Sequence, residues 1–130
     1  MKEKMTRDEF CSFIKEKFPT ISKKADKEYV RRWDDYVDDE YYSYSWFEAL
    51  ANALNSEMNK NIPADNYKEL LEFISAVFNS GCEEIKKAID VAFVENLFWA
   101  VYENKSESYW TLLPENLKKL YVDFHGKTPL

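Results

Sequence analysis

Glycine is nearly missing from this chain: there are two in 130 residues, beside four prolines, two cysteines and one histidine. Each scarcity excludes something. Phosphate-cradling loops require glycines at fixed spacing, and Gly81 and Gly126, standing alone, build none. Tight hairpin turns lack their usual material, which points to helices joined by short polar loops. Cys11 and Cys82 lie far apart, and neither has a Cys or His at ligand spacing, so both are expected to be buried, reduced thiols. His125 sits between Phe124 and Gly126, too isolated for a nucleophilic triad or a Glu-x-x-His metal pair, and its simpler role is at the C-terminal end of a helix. We therefore expect no enzyme activity, no cofactor and no metal. The opening "MKEKMTRDEFCSF" has no unbroken apolar run, and the most apolar run, "AIDVAFVENLFWAVY", is interrupted by Asp90, Glu95 and Asn96. Neither a secretory signal nor a membrane span is expected, and the cytoplasm is the expected location.

What is present is apolar surface. A hydrophobic fraction of 45% with 17% aromatics argues against disorder, and 130 residues suffice for one domain over 1–130 with a substantial core. The apolar spacing is helical throughout. Thr6 and Glu9 form a capping-box signature, after which Phe10, Phe13, Ile14 and Phe18 share one face, with a stop before Pro19. Ser22 is read as the cap of a second helix, with Ala25, Tyr29, Val30, Trp33, Tyr36 and Val37 within an arc of about 140°. A third helix is expected from Ser45 through Met58 and a fourth from about Asp65 to Phe78. Gly81 reads as a left-handed stop. A fifth helix, from Cys82 to Tyr102, is apolar around much of its circumference, so the spacing predicts a central element with Trp99 in the core. A short helix containing Trp110, also expected in the core, leads to a last one opened by Pro114 and closed by Gly126. The expected fold is all-α: six or seven short helices stacked as antiparallel pairs, or an irregular bundle.

One stretch departs from the rest. "DDYVDDEYYSYSWFE", residues 34–48, carries six carboxylates and six aromatic rings with no Lys or Arg. Outside it, 18 acidic residues face 18 basic ones, so the whole net charge of −6 resides here. Asp34, Asp35, Asp38 and Asp39 occupy the arc opposite the core of the second helix. Glu40 would turn inward, so that helix is expected to end near Asp39 and hand over to a loop, "EYYSYS".

A solvated helix face is the plain reading of any charge run. Two costs weigh against it: no cation stands at i+4 to relieve repulsion, and carboxylates gather at the helix end where the macrodipole disfavours them. The other reading is a binding surface made of Asp34, Asp35, Asp38, Asp39, Glu40, Tyr41, Tyr42 and Tyr44, in which tyrosines supply rigid contact area beside charge. A calcium loop would need a glycine that the stretch does not have. Basic residues are scattered and balanced by acid, so direct binding of nucleic acid is not expected either.

The segment "YKELLEFISAVFNSGCEEIKKAIDVAFVENLFWAV", Tyr67 to Val101, with its Gly turn and "AFVENL", resembles the small helical immunity proteins of bacterial contact-dependent growth inhibition and polymorphic-toxin systems. Glu95 and Asn96 are the residues that match. The resemblance implies a cytosolic, non-enzymatic inhibitor, a monomer that forms a heterodimer with a cognate toxin domain, often a basic nuclease. Glu95 and Asn96 are read here as satisfying backbone groups between packed helices rather than touching a toxin. The alternative function is an adaptor, or an acidic mimic, that binds another basic protein.

Overall fold

The computed structural model describes residues 5–33 and 42–130. Among the described residues there are seven α-helices and no strand, an all-α fold as expected. Helix α1 (Arg7–Lys17) begins with the capping box: Thr6 Oγ1 accepts from Glu9 N at 3.1 Å, and Glu9 Oε1 accepts from Thr6 N at 2.9 Å. It stops at Phe18, and Pro19 opens α2 (Pro19–Trp33). Ser22 is therefore not a cap. Proline suits a first helical turn because its missing N–H has no partner there anyway, so α2 starts four residues earlier than a Ser22 cap implies. The Ser22 hydroxyl is buried and donates to Ile14 O at 3.3 Å.

Helix α3 (Tyr42–Asn59) begins at Tyr42 rather than Ser45, so the last four residues of "EYYSYS" are helical instead of looped. It runs antiparallel to α2, since Tyr29 meets Tyr42 while Lys24 meets Glu57. The central element is α3, not the expected fifth helix. Trp46, Phe47, Ala49, Leu50, Ala51, Ala53, Leu54 and Met58 are all buried, so this helix is covered on nearly every side. Phe10 from α1 stacks on Phe47 with centroids 5.0 Å apart. Val30 faces outward on α2, at the margin of its apolar arc.

A 3₁₀ turn (Ala64–Tyr67) leads into α4 (Lys68–Ser80). Gly81 does not take the left-handed conformation; its φ of −78° and ψ of 167° are extended. Glycine is required for space instead, because a Cβ here would lie 2.8 Å from Val77 O and 3.0 Å from Ile85 Cγ2. Helix α5 (Glu83–Lys87) then widens into a π-helical stretch (Ala88–Phe93) and tightens into a 3₁₀ turn (Val94–Asn96). Its inner face, Ile85, Ala88, Ile89, Ala92 and Phe93, is buried as the spacing predicts.

That helix does not continue to Tyr102. Leu97 is extended, and Phe98 and Ala100 have φ of +69° and +56°. Helix α6 (Glu107–Leu112) and α7 (Glu115–His125) complete the chain, the latter closed by Gly126 at φ +78° in the left-handed position. Trp110 is half-buried against Phe98 and Tyr121. No helix among the described residues is long and apolar enough to cross a membrane.

Candidate functional site

Of the eight residues singled out by sequence, Asp34, Asp35, Asp38, Asp39, Glu40 and Tyr41 lie outside the described residues. Tyr42 and Tyr44 form the first turn of α3, and both are half-buried. The Tyr42 hydroxyl accepts a hydrogen bond from Lys15 Nζ, and its ring meets Tyr29 edge-on at 4.8 Å. Burial works against the Lys15 ammonium, yet the Tyr42 hydrogen bond and the nearby negative charge, Asp26 at 3.3 Å included, hold its pKa above the ordinary lysine value. Between the two tyrosines, buried Ser43 accepts from Arg7 Nε at 2.9 Å and donates to Asp8. The Arg7 guanidinium lies 5.8 Å from the Tyr44 ring centroid. The rings are thus oriented by α1 and α2 at the point where the acidic segment joins α3.

Acidic groups also lie near Tyr44. Burial raises the Tyr44 pKa, and the charges of Glu95, Glu48 and Asp90 raise it further against the opposing Arg7. Asp90 is itself raised by burial and by Asp123, and Glu95 by burial and by Asp90, with His125 opposing. The carboxylates of Asp90, Glu95 and Glu48 therefore lie near enough to Tyr44 to act on it. Among the described residues, no group of three or more His, Cys, Asp and Glu side chains is arranged to hold a metal ion.

A second feature was not foreseen. Three asparagines of α3 lie on one face, and two of them grip the loop after Asn96. Asn55 Nδ2 donates to Asn96 O at 2.9 Å while Asn55 Oδ1 accepts from Phe98 N at 2.7 Å. One helical turn on, Asn59 repeats the pattern, donating to Ala100 O at 3.1 Å and accepting from Tyr102 N at 3.0 Å. This clamp supplies partners that a continuing helix would have supplied, which explains why the helical spacing of 97–102 is overridden. Asn96 itself donates to Ala92 O at 2.8 Å, and Glu95 O meets His125 Nε2 at 3.1 Å.

The loop so held carries Trp99 at 70% exposure and Tyr102 at 67%, contrary to the expectation that Trp99 is core. Its indole borders a cavity of about 330 Å³ between α2, α3 and the loop. The third asparagine, Asn52, lines it, and Asn52 Nδ2 is buried with no hydrogen-bond partner among the described residues. A donor left so costs about 1–3 kcal/mol. The sequence signal was available in "NALNSEMN", where Asn52, Asn55 and Asn59 fall on one side of an otherwise apolar helix.

Below the cavity, Glu57 is buried in α3 and binds Lys24 through both oxygens at 2.9 Å, while Tyr67 donates to it at 2.6 Å. Burial raises the Glu57 pKa, but these hydrogen bonds and the charges of Lys24 and Lys60 outweigh it, and the net shift is downward. The arrangement is structural, tying α2 to α3 and the 3₁₀ turn.

The described residues thus combine an all-helical fold with carboxylates near Tyr44 and a clamped loop that exposes Trp99 and Tyr102. The chain belongs to a family described as a domain of unknown function, DUF7674, whose model matches residues 11–126. No curated protein and no solved structure matches it significantly.

Proposed function

We propose that the protein is an immunity protein that acts by binding rather than catalysis. It neutralises a cognate bacterial toxin domain of basic charge, such as a nuclease, by covering its active or substrate-binding surface. The observation that carries this reading is the confinement of the entire net charge to residues 34–48, beside rings that α1 and α2 hold in place. Asp90, Glu95 and Glu48 extend the negative region past Tyr44. A cationic cleft meeting such a surface is attracted over a distance, and clustered charge acts chiefly on the association rate. The protein works in the cytoplasm as a monomer that pairs one-to-one with the toxin.

The test is rescue by co-expression. The C-terminal toxin domain encoded immediately upstream is expressed alone and together with this protein, and viable cells are counted. Killing that co-expression relieves is the expected result. A toxin that kills equally in both cases, or a neighbouring domain that kills in neither, would move the assignment to an adaptor for another basic protein.

A further inference from the structure

The cavity beneath Trp99 has a chemistry of its own. Its aromatic wall is an indole that no ring or cation among the described residues covers, fixed on a backbone that Asn55 and Asn59 grip at four points. Its one ionisable lining residue is Glu28, on the α2 side. Ser56 and Asn55 also line it, and the Asn52 amide nitrogen is buried without a hydrogen-bond partner among the described residues. We propose that this cavity receives an arginine side chain of a protein partner, its guanidinium stacked on Trp99 and facing the Glu28 carboxylate.

A guanidinium carries five N–H donors and no acceptor, which suits a lining that includes a carboxylate and a hydroxyl, those of Glu28 and Ser56. It is planar and weakly hydrated, so it stacks on an indole better than an ammonium does. Glu28 already has an interaction within the chain, and a carboxylate with about four lone-pair sites accommodates another donor. An anion would meet that carboxylate head-on. Lysines do stand nearby: Lys24, Lys27 and Lys60 line the adjoining cavity, which shares Glu28 and Ser56. Lys24 is engaged by Glu57, and Lys27 and Lys60 are exposed, where water and salt screen them. Pre-positioning matters most here. An aromatic side chain whose loop is already ordered loses little freedom on binding, and rigid tryptophans are the side chains that most often dominate interfaces. That the arginine belongs to a basic toxin rests on the function proposed above; the cavity's preference for guanidinium does not.

The experiment is a titration of ¹⁵N-labelled full chain with N-acetyl-arginine amide, followed at the Trp99 indole N–H, which is assigned by its loss in Trp99→Ala. A saturable shift is expected, several-fold weaker with the uncharged citrulline amide and roughly three- to tenfold weaker in Glu28→Gln. Absence of a shift up to the solubility of the probe would overturn the proposal. So would an equal response to citrulline amide, or tighter binding of inorganic pyrophosphate, which would mark an anion site. An arginine response without toxin rescue leaves the cavity's chemistry standing and removes the immunity reading; rescue without an arginine response does the reverse.

Discussion

Replacing Asn55 with alanine tests the asparagine clamp, on which both the loop and its exposed tryptophan depend. Asn55 is buried, and the substitution removes its donor to Asn96 O and its acceptor for the buried Phe98 N–H. Stranding one buried backbone donor costs about 1–3 kcal/mol, and losing the second bond adds about 1 kcal/mol. Part of this returns if the loop relaxes, because Phe98 and Ala100 sit at positive φ, each disfavoured by about 1–2 kcal/mol for a residue with a Cβ. The net expectation is a loss of about 2–3 kcal/mol, which lowers the urea midpoint by roughly 1–2 M at a slope of about 1.5 kcal/mol per molar. Asn59 is half-buried at the exposed end of the loop, so Asn59→Ala is expected to cost less than about 1 kcal/mol. Urea unfolding of both variants, with amide exchange at Phe98 and Tyr102, reads the two ends separately. Equal losses, or an Asn55→Ala loss below about 0.5 kcal/mol, would refute the clamp as the reason the helix ends at Asn96.

Ala100→Gly is expected to stabilise by about 0.5 kcal/mol, since relief of left-handed strain outweighs the added freedom of the unfolded chain; an unchanged thermal midpoint would contradict the strain argument. Gly81→Ala should destabilise by about 1–3 kcal/mol through its contacts with Val77 O and Ile85, and a neutral result in denaturant unfolding would show that the turn gives way. Burial pushes the Cys11 thiol up to about 12, so an aromatic disulfide reagent at pH 8 should titrate Cys82 alone in the folded protein and both cysteines in denaturant. Glu57 has a depressed pKa in the folded state, so its contribution is fully present above the unfolded glutamate value and is lost as pH falls through the lower, folded one. Glu57→Gln should flatten that acid limb of the stability–pH curve, and an unchanged limb would contradict the assignment.

Much of the fold was legible because apolar periodicity and capping are local. Thr6 with Glu9, Pro19, Pro114 and Gly126 mark helix ends by their own backbone chemistry, and the structure uses each of them as such, although Pro19 also displaced the cap assigned to Ser22. Where tertiary partners override local signals, the reading failed. Residues 97–102 have helical spacing, but two asparagines one turn apart on a distant helix take their backbone groups and turn Trp99 outward. Gly81 reads locally as a left-handed turn, whereas its neighbours Val77 and Ile85 demand it for room. The fifth helix was expected at the centre because of its wide apolar face; α3 holds that place because its small alanines, Ala49, Ala51 and Ala53, let other helices approach it from several sides. As for the candidate site, composition located the acidic segment, while the Trp99 cavity needed three elements brought together in space.

The most direct measurement of the central claim is the association rate of this protein with the toxin domain proposed as its partner, taken by stopped flow across a range of salt concentrations. The comparison is between the natural chain and one in which Asp34, Asp35, Asp38 and Asp39 are all asparagine. Electrostatic steering predicts an association rate that falls steeply with salt in the natural chain, and a variant that associates at least tenfold more slowly at low salt with a shallow dependence. Superimposable rates and salt slopes would mean that the acidic segment does not guide the partner, and the account of this surface would be wrong.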